Sequence, residues 1–177
     1  MLLTLLSNAM ALLMLWLFIQ AALHKLLPAN RSYFTDLLEQ QFSLAPKAGV
    51  ILTGFIGIME LILALAIIYP DTRPIASVLV ALILIMYAAN MVVQMYLGKK
   101  DMECGCAGPG REIKISVSLV VRNLILAALA LFCLSPIQDI GWSMGLLSLQ
   151  LAVVAVLVNQ SAELLLENSQ KLALLRL

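Results

Sequence analysis

Cys104 and Cys106, separated only by Gly105, are the residues in this chain best suited to chemistry. Two thiols at i and i+2 close into a small disulfide when the backbone bends. That bond needs Cα atoms roughly 4.4–6.8 Å apart, and glycine permits the bend. A strained, exposed disulfide of this kind is readily reduced, which suits thiol–disulfide exchange better than a structural role. Lys99, Lys100, Arg111 and Lys114 flank the pair and favour the thiolate, whereas Asp101 and Glu103 oppose it. Gly108-Pro109-Gly110 supplies the turn that returns the chain. The third cysteine, Cys133, falls near the far end of the next apolar segment, roughly 30 Å away by helical rise, and reads as a small buried hydrophobe. Three cysteines and a single histidine match no zinc spacing, so no metal site is expected.

The elements that carry this loop are set by composition. The chain has 177 residues, 63% hydrophobic and 12% charged, with mean hydropathy +1.02. Soluble domains carry about 25% charged residues. These values predict an all-α membrane protein, one integral domain over residues 1–177 lying in the lipid bilayer. A net charge of +1 says nothing about nucleic acid, and with no basic run or aromatic platform no nucleic-acid partner is expected. Crossings are expected at about residues 2–27, 48–70, 74–97, 114–135 and 140–166, each near the roughly 20 apolar residues a bilayer requires. Pro28, Pro46, Pro70, Pro74, Pro109 and Pro136 all fall at or between helix ends. The first segment lacks a basic leader region and reads as a retained helix. Residues 31–43 repeat with a helical period, with Phe34, Leu37, Leu38 and Phe42 on one face, and predict a short interfacial helix.

Polar residues gather toward the cysteine side of the crossings. Gln20, His24 and Lys25 lie in the last turns of the first, and Tyr87, Asn90 and Gln94 share a face of the third. Arg122 and Asn123 lie about two turns inside the fourth, and Glu60 is near the middle of the second. An intramembrane carboxylate faces the bundle interior and finds a partner. A polar cavity floored by Glu60 is therefore expected, with Arg122 its counter-charge and Lys25 the other cation in reach. The same amides also serve as interhelical hydrogen-bond glue, and Lys25 as a snorkelling helix end. The last segment holds no polar residue suited to the site before Asn159, so the architecture expected is a four-helix transmembrane bundle plus a fifth peripheral transmembrane helix that does not line the cavity. Residues 163–177 read as a helical tail.

Glu103-Cys104-Gly105-Cys106-Ala107-Gly108, Ser116 and Leu119-Val120-Val121-Arg122-Asn123, with Leu23-His24-Lys25-Leu26 upstream, resemble the MauE family of methylamine-utilisation membrane proteins, related to the DoxX group. Ala107 departs from the bulkier residue common there. The resemblance implies a redox pair at Cys104 and Cys106, supported by Lys25, Glu60, Arg122 and Asn123. It implies a thioredoxin-like partner and maturation of the small subunit of methylamine dehydrogenase. A membrane quinone as electron acceptor is implied by analogy only, and no other cofactor is expected. The location implied is the bacterial inner membrane with the cysteine loop in the periplasm, where disulfides persist. The charge distribution points the other way. Lys and Arg favour cytoplasmic loops, and only Arg73 lies on the side opposite the cysteines. The competing function is a membrane scaffold or small-ligand transporter whose cysteines only lock a loop.

Overall fold

The computed structural model describes residues 2–42, 45–99, 113–134 and 142–174. Cys104 and Cys106 lie outside the described residues. Six α-helices follow in order: α1 (Leu2–Leu26), α2 (Arg31–Phe42), α3 (Pro46–Ala66), α4 (Arg73–Tyr96), α5 (Val117–Phe132) and α6 (Trp142–Leu174). A 3-10 turn, Pro28–Asn30, separates the first two. Proline opens that turn, α3 and α4, where a missing N–H costs nothing. The chain is an all-α membrane protein. Among the described residues, four helices are long and apolar enough to cross a bilayer: α1, α3, α4 and α6.

The fourth expected crossing is shorter than its apolar run suggests. Ser116 is extended, at φ −146° and ψ 159°, and α5 begins only after it, leaving 16 helical residues. That length is roughly 24 Å against a hydrocarbon core of about 30 Å. Residues 113–116, where the missing turn would lie, are not helical, and Ile113 and Ile115 are buried.

The packing follows small residues. α1 lies against α3 and α6, and α4 against α5. Ala9, Ala22, Ala64, Ala81, Ala127 and Ala130 are buried in these contacts, so backbones approach closely without the hydrophobic drive available in water. Met14, Phe18, Ile67, Val80, Leu84 and Leu126 fill the main core. Ala88, Met91, Leu119 and Val120 form a second cluster with Ile113 and Ile115, at the end where α4 stops and α5 starts. Large apolar side chains such as Ile51, Phe55, Ile75, Met86 and Leu157 point outward, as lipid-facing residues do. The last long helix is the least enclosed of the four, as expected of a peripheral element.

Two glycines and a helix cap decide how the functional end is built. α2 packs on the start of α3, where a Cβ on Gly49 would come within 3.0 Å of Thr35 Cγ2. Gly57 holds α1 against α3, since a Cβ there would sit 3.0 Å from Leu26 Cγ and 3.3 Å from Lys25 Cβ. At the end of α4, Gly98 takes φ +76°, the left-handed region. Lys99 N–H then bonds Gln94 O at 3.0 Å and Gly98 N–H bonds Met95 O at 3.2 Å, a Schellman stop.

Candidate functional site

Glu60 is the centre of the site. It lies one turn beyond Gly57 on the same face of α3 and is 1% exposed. The close approach of α1 brings Lys25 Nζ to both carboxylate oxygens, 2.8 Å from each. Tyr87 of α4 donates its hydroxyl to Oε1 at 2.5 Å. Lys25 Nζ also stands 5.7 Å from the Phe34 ring centroid and 5.8 Å from that of Tyr87, within cation–π range. A buried carboxylate thus meets one ammonium and one hydroxyl, the pairing that makes burial of charge tolerable.

Arg122 is not the partner of Glu60, contrary to the expectation from sequence. Its guanidinium pairs with Glu163 of α6, and its Nε donates to Asn159 Oδ1 at 3.3 Å. Asn159 in turn donates to Glu163 Oε1 at 3.3 Å. One helical turn of α6 therefore supplies both the counter-charge and the amide that orients it. The reason is geometric. Gly57 draws Lys25 onto Glu60, while Arg122 on α5 meets α6. A second expectation fails with the first, because α6 does line the polar cavity. Glu163, the first residue of the expected helical tail, is buried.

The two ion pairs share a cavity of about 60 Å³. Its polar wall is Gln20, Lys25, Glu60, Tyr87, Arg122, Asn123 and Glu163, drawn from α1, α3, α4, α5 and α6, and its apolar wall includes Phe18, Leu84 and Leu126. At roughly 30 Å³ per water, that is room for about two. Gln20 accepts a bond from Gln160 of α6 at 3.2 Å. Asn123 is buried, with Nδ2 3.9 Å from Met91 Sδ. Of the expected site residues, Lys25, Glu60, Arg122 and Asn123 therefore converge.

His24, Asn90 and Gln94 do not line this cavity. Asn90 instead reaches α2, donating to Gln41 Oε1 at 3.2 Å. Gln94 is buried at the end of α4, where its carbonyl accepts the bond that closes the helix. Cys133 lies at the opposite end of α5, 0% exposed, with Sγ 3.4 Å from Leu129 O. Near it Arg73, itself buried, donates to Asn8 Oδ1 and Ser7 O at 2.6 Å each. Tyr87 and Glu163 are the site residues that sequence reasoning left without a role.

The stretch bearing Cys104 and Cys106 departs from and returns to the same end of the bundle. Lys99 Nζ donates to Gln40 O of α2 at 3.1 Å. Fifteen positions later Lys114 exchanges two bonds with the side chain of Gln170 on α6, at 2.9 and 3.0 Å.

A family model described as methylamine utilisation protein MauE matches residues 3–136. The protein described as methylamine utilization protein MauE from Paracoccus denitrificans is 30% identical over 116 residues, which cover 65% of this chain and 61% of that protein. The match thus spans less than two thirds of that relative's length. No solved structure matches the chain. Lys25, Glu60, Tyr87, Arg122 and Asn123 all fall inside the matched region, whereas Glu163 falls outside it.

Proposed function

The chain belongs to the MauE family, and we propose that it is a membrane thiol–disulfide oxidoreductase that serves methylamine utilisation through Cys104 and Cys106. The observation that carries this reading is the Cys-Gly-Cys sequence itself, held between two bundle-anchored flanks at the end where the charged cavity lies.

In the oxidising direction a thiolate of the protein substrate attacks one sulfur of the Cys104–Cys106 disulfide. The S–S bond breaks, a mixed disulfide forms, and the other cysteine leaves as a thiolate. A second substrate thiolate then attacks the mixed disulfide, which leaves the substrate oxidised by two electrons and Cys104 and Cys106 reduced. Reoxidation of the dithiol releases two electrons and two protons, which a membrane quinone would take up as the two-electron acceptor. Lys25 and Glu60 join α1 to α3 through their buried pair. The protein substrate is a thioredoxin-like carrier that delivers disulfides to the small subunit of methylamine dehydrogenase. The pair works in the periplasm, across the inner membrane from the cytoplasm.

Growth on methylamine of a strain lacking this protein tests the proposal. The wild-type chain and Cys133→Ser restore growth, and Cys104→Ser and Cys106→Ser do not. Growth restored by both loop variants would make the protein a scaffold or a transporter instead.

A further inference from the structure

We propose that α6 is a strap that positions the cysteine loop, with Gln170 as the positioning residue; this rests on the dithiol reading above. α6 lies beyond the matched residues, which end at 136, so the family match assigns it nothing. The helix is 33 residues long, roughly 50 Å by helical rise, and outruns the bilayer. One stripe along it engages the rest of the protein. Gln160 reaches Gln20 of α1, and Asn159 and Glu163 hold Arg122 of α5. One turn on, Leu166 packs on the cluster that contains Ile113 and Ile115. A further turn on, Gln170 reaches Lys114.

The Gln170 contact is specific in its chemistry. Nε2 donates to Lys114 O at 3.0 Å, and Lys114 N–H donates to Oε1 at 2.9 Å. Residues 113–116 are not helical, and the neighbouring Ile113 and Ile115 are buried. Backbone polar groups there lack a helical ladder and need other partners. A carboxamide supplies one donor and one acceptor in a plane and satisfies both groups of one residue; a carboxylate supplies acceptors alone. Lys114 lies eight positions after Cys106, and the entry of the same segment is fixed at Gly98 and Lys99. Closing both ends of a segment restricts where its middle can go. The strap therefore sets how the two thiols are presented to a large partner, while leaving their local chemistry to the Cys-Gly-Cys sequence.

The test compares Gln170→Ala, Gln170→Glu and the exposed control Asn168→Ala in detergent, each as the full chain. Amide hydrogen exchange is read at residues 113–116. The rate at which the oxidised protein is reduced is read with two probes, a thioredoxin and dithiothreitol. The expected result is exchange about tenfold faster in Gln170→Ala, and intermediate in Gln170→Glu, which keeps the acceptor. The thioredoxin rate falls several-fold in Gln170→Ala, the dithiothreitol rate stays at the wild-type value, and the control matches wild type. Wild-type exchange in Gln170→Ala overturns the strap. Faster exchange with an unchanged thioredoxin rate overturns the positioning role. A wild-type protein that never forms the Cys104–Cys106 disulfide overturns the dithiol reading instead, and the exchange data then decide on their own whether α6 holds the loop exit.

Discussion

Replacing Lys25 by alanine removes both ammonium bonds to a carboxylate that is 1% exposed and leaves it the Tyr87 hydroxyl as a donor. Breaking one side of a buried pair costs about 3–5 kcal/mol, because the surviving charge keeps its desolvation penalty. At roughly 2–4 °C per kcal/mol for a chain of this size, the thermal midpoint falls by roughly 6–20 °C. Replacing both partners should behave differently. Lys25→Met with Glu60→Leu buries no charge and should recover most of the loss. The assay is thermal unfolding in detergent followed by circular dichroism, arranged as double-mutant cycles. The coupling of Lys25 with Glu60 should exceed that of Arg122 with Glu60 by at least about 1 kcal/mol. A Lys25→Ala midpoint equal to wild type, or a larger coupling for Arg122 with Glu60, would refute the pairing.

Arg122→Ala and Glu163→Gln should each lower the midpoint, and the pair should be non-additive, since the two side chains form one buried contact; fully additive losses would separate them. Gly57→Ala should destabilise by about 1–3 kcal/mol through its clash with Leu26, whereas Gly54→Ala, which meets nothing within 4 Å, should be neutral or stabilising; equal midpoints would show that α1 and α3 have slack. Arg73→Gln should cost about 1.5–3 kcal/mol by removing charged hydrogen bonds to Ser7 and Asn8, read by the same unfolding assay, and an unchanged midpoint would mean that those bonds contribute nothing.

The single-residue signals were legible in the sequence, and the pairings were not. Lys25, Glu60 and Arg122 stand out because a charge in an apolar run is costly and must have a purpose. Residues 31–43 announced their helix by period, and α2 ends within a residue of that range. Which cation meets Glu60 depends on how closely two helices approach and in what rotation. That is set by Gly57, a residue whose lack of a side chain leaves no mark on a hydropathy pattern. Glu163 carries no such signal, because it opens the stretch that reads as a helical tail, just after Asn159, Gln160 and Ser161. Its burial comes from the unusual length of α6 and from Arg122 opposite it. The late start of α5 was hidden for a related reason: Ile113 and Ile115 are apolar and buried, and apolar content alone does not separate a buried non-helical entry from a helix.

The central claim is that Cys104 and Cys106 cycle between dithiol and disulfide while Cys133 stays out of the chemistry. Differential thiol alkylation of the protein in native membranes, followed by mass spectrometry without reduction, tests it most directly. The account predicts an intramolecular Cys104–Cys106 disulfide that opens and closes with the ambient thiol–disulfide poise, reacts with a membrane-impermeant reagent from the periplasmic side once reduced, and leaves Cys133 a free thiol under all conditions. A permanently reduced pair, or a native disulfide that includes Cys133, would contradict it.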